Sequence, residues 1–305
     1  MILTNACLLP GLLALVAAQD GPDSLLERVE HGYADNDGVR IHFAALGEGP
    51  LIVMLHGFPD YWYTWRHQME VLSHDYRVVA LDLRGYNRSD KPKGIEAYSM
   101  RHLMGDVDAV IRDQGEESAT VIGHDWGGVI AWQFAAWHPE RVEGLVILNV
   151  PHPTGLSRGL ADARGQRKAS QYAYDFQKEG AHLAFTAKGL AGWVRDAGAR
   201  AHYVEAFERS DFEAMLAYYK RNFPPPTKGK AAAEADAAPT FPRIGAPVLV
   251  LFGLKDRYLL SDGLNNTWDW IDGELTLVTF PKAGHFVQHD AAELVTRSML
   301  AWLGR

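Results

Sequence analysis

Apolar residues in this chain gather in short runs, most of them shorter than a helix needs. Residues 39–45 (VRIHFAA) alternate in polarity and predict a first, half-buried strand. Residues 51–55, 78–83, 120–122 and 145–148 form mostly apolar runs, each ending near a turn signal. Such runs suit strands buried on both faces of a parallel sheet, where neither side needs polar residues. Helical spacing at 100–112 and 129–137 separates several of them.

After Pro151 the pattern changes. Residues 152–240 hold no convincing buried strand and are rich in Ala, Arg, Lys, Tyr and Phe at helix-like spacing. They end in Pro224-Pro225-Pro226 and an Ala-rich polar stretch. Strand logic resumes at 247–252 (PVLVLF) and 275–280 (LTLVTF). The final segment reads as an amphipathic helix started by a capping box of Asp290 and Glu293, with Leu300, Trp302 and Leu303 on its apolar side. The expected architecture is α/β: a mostly parallel central sheet built from residues 19–151 and 241–305, with 152–240 as an inserted helical cap.

Composition narrows the partners. Of 305 residues 47% are apolar, enough for a large core without disulfides or metals. A net charge of -8 argues against nucleic acid, and the only basic cluster, Arg164 to Lys168, suits a solvated surface. No CxxC or Cys/His cluster is present, so no structural zinc is expected. The one cysteine, Cys7, precedes an apolar run (LLPGLLALVAA, 8–18) that ends in small residues. That resembles a secretory signal cleaved after Ala18, and it is too short to span a bilayer, although its first residues carry no Lys or Arg. On this reading residues 1–18 are lost, and the exported protein has no cysteine; without cleavage it is cytoplasmic.

Gly123-His124-Asp125-Trp126-Gly127 follows the strand TVI and precedes a helix. This is the G-x-nucleophile-x-G elbow, in which flanking glycines let the chain turn sharply and expose the middle side chain. The middle residue here is Asp125. His56-Gly57-Phe58-Pro59 ends the strand LIVML, so the N–H groups of Phe58 and Trp126 can form an oxyanion hole. Asp256 and His285 each follow a later strand. The order nucleophile, acid, base is that of an elbow-type hydrolase. His67, His102, His202 and His289 lack such context and read as surface or core residues.

An aspartate nucleophile constrains the substrate. Attack on carbon makes an alkyl ester of the enzyme, so the substrate is an epoxide, an alkyl halide or a similar electrophile. Water then cleaves that ester at the Asp125 carbonyl, which is why an oxyanion hole is still required.

The stretches HGFPDYWYTWRHQM, GHDWGG, HPERVEGLVILNVPHP, LKD and AGH resemble the soluble epoxide hydrolase family of the α/β-hydrolase fold. The resemblance covers almost the whole core, and the cap matches less well. It implies a small-molecule epoxide and water as partners, with no cofactor and no metal. Phe58 and Trp126 would line the substrate site. Some relatives carry the acid just after the strand before the cap; that position is near Asn149 here, which leaves Asp256 in the role. Asn87 stands where the family usually has glycine, and Asn tolerates positive φ.

The cap separates the candidate reactions. An epoxide opens to an alkoxide, which needs a proton or strong donors. The family supplies two cap tyrosines, and Tyr172 (in YAYDFQ) and Tyr219 (in LAYYK) match those motifs. Tyr218 and Tyr219 point about 100° apart on a helix, so one alone faces the site; motif position favours Tyr219, with Tyr174 and Tyr203 as alternatives. A haloalkane dehalogenase shares the nucleophile and the tryptophan at 126, but typically has Asn or Glu where Phe58 stands. A fluoroacetate dehalogenase resembles HDRG with a nearby arginine, which Trp126 and Val129 do not supply. A non-catalytic binding protein on the same fold is the remaining reading, and the intact set of core positions argues against it.

Overall fold

The computed structural model describes residues 22–161, 163–224 and 241–304. The proposed signal at 1–18 lies outside them. Eight strands among the described residues form one sheet: β1 (Glu30–Asn36), β2 (Val39–Leu46), β3 (Leu51–Leu55), β4 (Arg77–Leu81), β5 (Ala119–His124), β6 (Val142–Leu148), β7 (Val248–Gly253) and β8 (Leu275–Phe280). Their order is β1-β2-β4-β3-β5-β6-β7-β8. Strands β3 to β8 run parallel, whereas β2 is antiparallel to both β1 and β4.

β3 and β7 are buried at every position and β6 at all but one, as their continuous apolar sequences require. The strand at 39–45 is neither first nor half-buried. β1 precedes it, and Ile41 to Ala45 are all buried, because β2 is covered on both faces. β1 (EHGYADN) has no apolar run to announce it. It forms as the outer arm of a hairpin closed by Asp37-Gly38, both at positive φ (53° and 84°), a turn whose twist matches that of the strands.

Two helices brace the centre of the sheet. Met100–Asp113 buries Leu103, Val107, Val110 and Ile111 on one stripe. Trp126–Trp137 is nearly apolar throughout and buries Ile130, Trp132 and Phe134, each burial of this kind contributing roughly 1.5–3 kcal/mol. The last helix, Ala292–Leu303, packs through Val295, Met299 and Trp302, with Leu300 and Leu303 partly buried. The capping box expected at its start does not form. Asp290 ends a separate short helix, and its Oδ2 accepts the N–H of Gly284 at 2.8 Å instead.

Between β6 and β7 the described chain is helical, with Pro153–Ala161, Ala197–Arg209 and Phe212–Asn222 as its longer helices. Asp196 and Asp211 cap the last two by accepting main-chain N–H groups. Side chains then tie the insertion to the core. The Tyr218 hydroxyl donates to the Arg84 carbonyl, Tyr203 donates to Asp60, and the Trp193 indole donates to the Pro59 carbonyl. Asn87 adopts φ 39° and accepts from Arg209 at 2.8 Å, so its side chain adds a tether that glycine would lack. Among the described residues no helix is long and apolar enough to cross a membrane.

Candidate active site

The loops at the carboxyl ends of β3, β5, β6, β7 and β8 converge, as ligand sites in open α/β sheets do. Asp125 leaves β5 with φ 51° and ψ -121° and stands at the N-cap position of the helix Trp126–Trp137, its side chain making no capping bond. That conformation is strained for any side chain, and it turns this one out of the sheet. Glycine is needed on both sides. A Cβ on Gly123 would strike the Gly127 carbonyl, and one on Gly127 would strike the Leu55 carbonyl.

Asp125 is buried, and its two oxygens have different surroundings. Oδ1 accepts the Phe58 N–H at 2.8 Å, while Oδ2 lies 3.5 Å from His285 Nε2. Trp126 is the first residue of the elbow helix, where a main-chain N–H has no partner within the helix. The predicted oxyanion donors therefore flank Asp125, Phe58 already bonded to it. The Phe58 ring packs on Phe176, Phe185 and Tyr219, and so, unlike Trp126, it does not line the cavity that reaches Asp125, contrary to the expectation for it as a substrate-lining residue.

Behind Asp125, His285 Nδ1 donates to Asp256 Oδ2 at 2.8 Å. Asp256 Oδ1 accepts the N–H groups of Tyr258 and Leu259 at 2.8 and 3.1 Å. Burial works against its charge, but His285, Asn149 and the Tyr258 N–H outweigh it and hold Asp256 below the usual carboxylate range. Burial likewise opposes the Asp125 charge, and His285 with the Phe58 N–H holds it low. Burial pulls His285 down, yet Asp256 and Asp125 together raise it to about 10.

Two residues near these groups had no role in the sequence reading. Asn149, at φ 48°, donates from Nδ2 to Asp256 Oδ2 at 2.8 Å and accepts from the Gly253 N–H at 2.8 Å. The position dismissed as a source of negative charge thus supports the residue that carries it. His124 Nε2 donates to the His285 carbonyl at 2.8 Å, and burial, then His285, push its pKa down to about 4. Its place inside the elbow motif was the only signal.

The insertion covers Asp125 and contributes Tyr172 and Tyr219. Their ring centroids lie 6.1 Å apart, and both line the same cavity as Asp125 and Trp126. Tyr219 stands perpendicular to the Trp126 ring at 5.0 Å. Burial, then the Asp125 charge, push both phenols well above their ordinary pKa, so each keeps its proton at neutral pH. Tyr218 points away to Arg84, Tyr203 is engaged by Asp60, and Tyr174 also lines the cavity.

The strand order and the elbow after β5 are those of an α/β hydrolase. The sequence signature of the alpha/beta hydrolase fold family matches residues 50–292. Epoxide hydrolase 1 of Caenorhabditis elegans is 30% identical over 303 residues, covering 92% of this chain and 72% of that protein. The AB hydrolase superfamily protein YfhM of Bacillus subtilis (strain 168) is 32% identical, with 91% and 99% covered. The crystal structure of Bacillus megaterium epoxide hydrolase in complex with an inhibitor superposes with a TM-score of 0.81 at 31% identity, covering 90% of this chain and all of that one. The chain belongs to the alpha/beta hydrolase fold family, among the epoxide hydrolases.

Proposed function

We propose that this protein hydrolyses an epoxide to a vicinal diol through an ester formed on Asp125, with residues 152–240 as the cap over a core of 19–151 and 241–305. The observation that carries the reading is that one largely apolar cavity holds the Asp125 carboxylate together with Tyr172 and Tyr219. In the first step a carboxylate oxygen of Asp125 attacks a ring carbon. The C–O bond to the ring oxygen breaks, and that oxygen takes a proton from one of the two phenols. A halide leaving group would need no such proton, which favours an epoxide over a haloalkane.

In the second step His285, oriented by Asp256, takes a proton from water, and the hydroxide attacks the Asp125 carbonyl carbon. The Phe58 and Trp126 N–H groups receive the charge that develops on the oxygen. The ester C–O bond breaks, the diol oxygen takes the proton from His285, and the acid proton left on Asp125 returns to the tyrosinate. Epoxide and water go in and diol comes out. Formation of the ester also removes one of the two carboxylate charges that raise His285, so its pKa falls at the step that needs a base.

A single turnover in heavy-oxygen water, with enzyme in excess over styrene oxide, tests the scheme. The label should enter the Asp125 peptide and be absent from the diol. Label in the first-turnover diol would mean that water attacks the epoxide directly. Export is proposed separately on the apolar run at 8–18, and N-terminal sequencing of the protein from its native host tests cleavage after Ala18.

A further inference from the structure

We propose, resting on the epoxide hydrolase reading, that this site accepts epoxides with one extended apolar substituent and rejects those bearing large groups on both ring carbons. The observation is an asymmetry about the elbow. β5, which carries Asp125, lies between β6 and β3. The cavity runs out from Trp126 past Val129 and over the segment that follows β6, by Pro151, Leu156 and Leu160 to exposed Ser157, with Met100 and Phe223 also in its lining. Its volume is about 320 Å³, near the low end of the roughly 300–1,000 Å³ of pockets that hold small molecules.

The loops after β3 and β8 carry packed rings instead. Phe58, just after β3, lies 5.3 Å from Phe176 and 5.9 Å from Phe185, and those two are 5.4 Å from each other. Phe185 is backed in turn by Phe212. Trp193, bonded to the Pro59 carbonyl, lies flat on Phe286 at 3.6 Å. Among the described residues, Phe58, Phe176, Phe185, Trp193 and Phe286 do not line the cavity that reaches Asp125. A substituent on the ring carbon facing this side would have to displace aromatic side chains held by one another, because packed interiors adjust poorly to added volume. An arm on the other carbon meets open, apolar space.

The test is a substrate series at constant chemistry: styrene oxide, trans-β-methylstyrene oxide and trans-stilbene oxide, scored as kcat/KM for diol. The proposal predicts a stepwise fall, with trans-stilbene oxide on the order of 100-fold or more below styrene oxide. Phe185→Ala removes one ring of the wall without touching the reacting groups. It should recover roughly tenfold or more of the loss on trans-stilbene oxide while leaving styrene oxide within a few-fold. Phe185→Leu serves if the alanine variant does not fold, and the wild-type series decides the first claim by itself. Comparable rates on all three substrates would overturn the one-armed site and leave epoxide hydrolysis standing. Discrimination that survives both Phe185 variants would overturn the wall as its cause. No diol from any of them would remove the epoxide reading and this inference with it.

Discussion

Asn149 Nδ2 donates to the same oxygen of Asp256 that receives His285 Nδ1, and both contacts are 2.8 Å. The Asp256 carboxylate, proposed to orient His285 as base, is therefore held from two strand ends, β6 and β7, and its position does not depend on its own loop alone. Asn149→Ala should slow ester hydrolysis about tenfold, the cost of losing one hydrogen bond to a charged group, and leave alkylation within a few-fold. Pre-steady-state measurement of the two steps checks this. An equal slowing of both steps would mean a general loss of structure.

The phenols separate epoxide opening from other alkylations. Each of Tyr172→Phe and Tyr219→Phe should slow alkylation by an epoxide, and the double variant should lose ~10²–10³-fold, the usual cost of an oxyanion-type donor. Single losses should be milder because the remaining hydroxyl still donates. A double variant that alkylates at the wild-type rate would move the acid role to Tyr174, the other tyrosine of the pair's cavity.

The two steps should differ in their response to pH. Asp125 is held below its ordinary 3.8, so its nucleophilic anion persists throughout the neutral range and alkylation stays flat there. In the proposed mechanism hydrolysis requires neutral His285, whose pKa is raised to about 10 in the free enzyme and should fall once Asp125 is esterified. Hydrolysis therefore weakens as pH drops, and the ester accumulates. Acid quench during steady turnover, followed by intact mass, should find a larger alkylated fraction at low pH than at high pH; a smaller one would contradict the assignment of His285 as base.

Asp60 carries a separate prediction about stability. Burial, only partly offset by hydrogen bonding from Tyr203 and the Tyr61 N–H, raises its pKa from 3.8 to about 7. The folded state thus binds more protons than the unfolded state between those values, so stability declines as pH rises from 3.8 to 7 and levels above it. Asp60→Asn removes this slope and keeps an acceptor for the Tyr203 hydroxyl. Thermal unfolding should show a smaller loss between mildly acidic and mildly alkaline pH in the variant than in the wild type. An unchanged loss would mean that Asp60 titrates alike in both states.

How much of this was legible in the chain follows from where each signal resides. The inner strands were readable because both their faces are apolar, and the elbow because its glycines are demanded by close backbone contacts at Gly123 and Gly127. β1 was not, since an outer hairpin arm buries little; its one sign was the Asp37-Gly38 turn. The capping box at Asp290 looked sound locally, but a loop beside His285 claimed its carboxylate. Asn149 was unreadable as a support because its partner at 256 is 107 residues away. Tyr219 could be preferred to Tyr218 by motif, while the physical reason is the bond that turns Tyr218 toward Arg84.

In the proposed mechanism substrate becomes covalently bound to Asp125 before water enters the reaction. His285→Gln isolates that claim, because alkylation needs Asp125 and the phenols, whereas release needs a base beside the ester. Intact-protein mass spectrometry of this variant after mixing with styrene oxide is the direct measurement. A stoichiometric adduct of substrate mass is expected, mapping to the peptide that contains Asp125 and absent from His285→Gln combined with Asp125→Ala. Steady diol production by His285→Gln with no adduct at any time would contradict it.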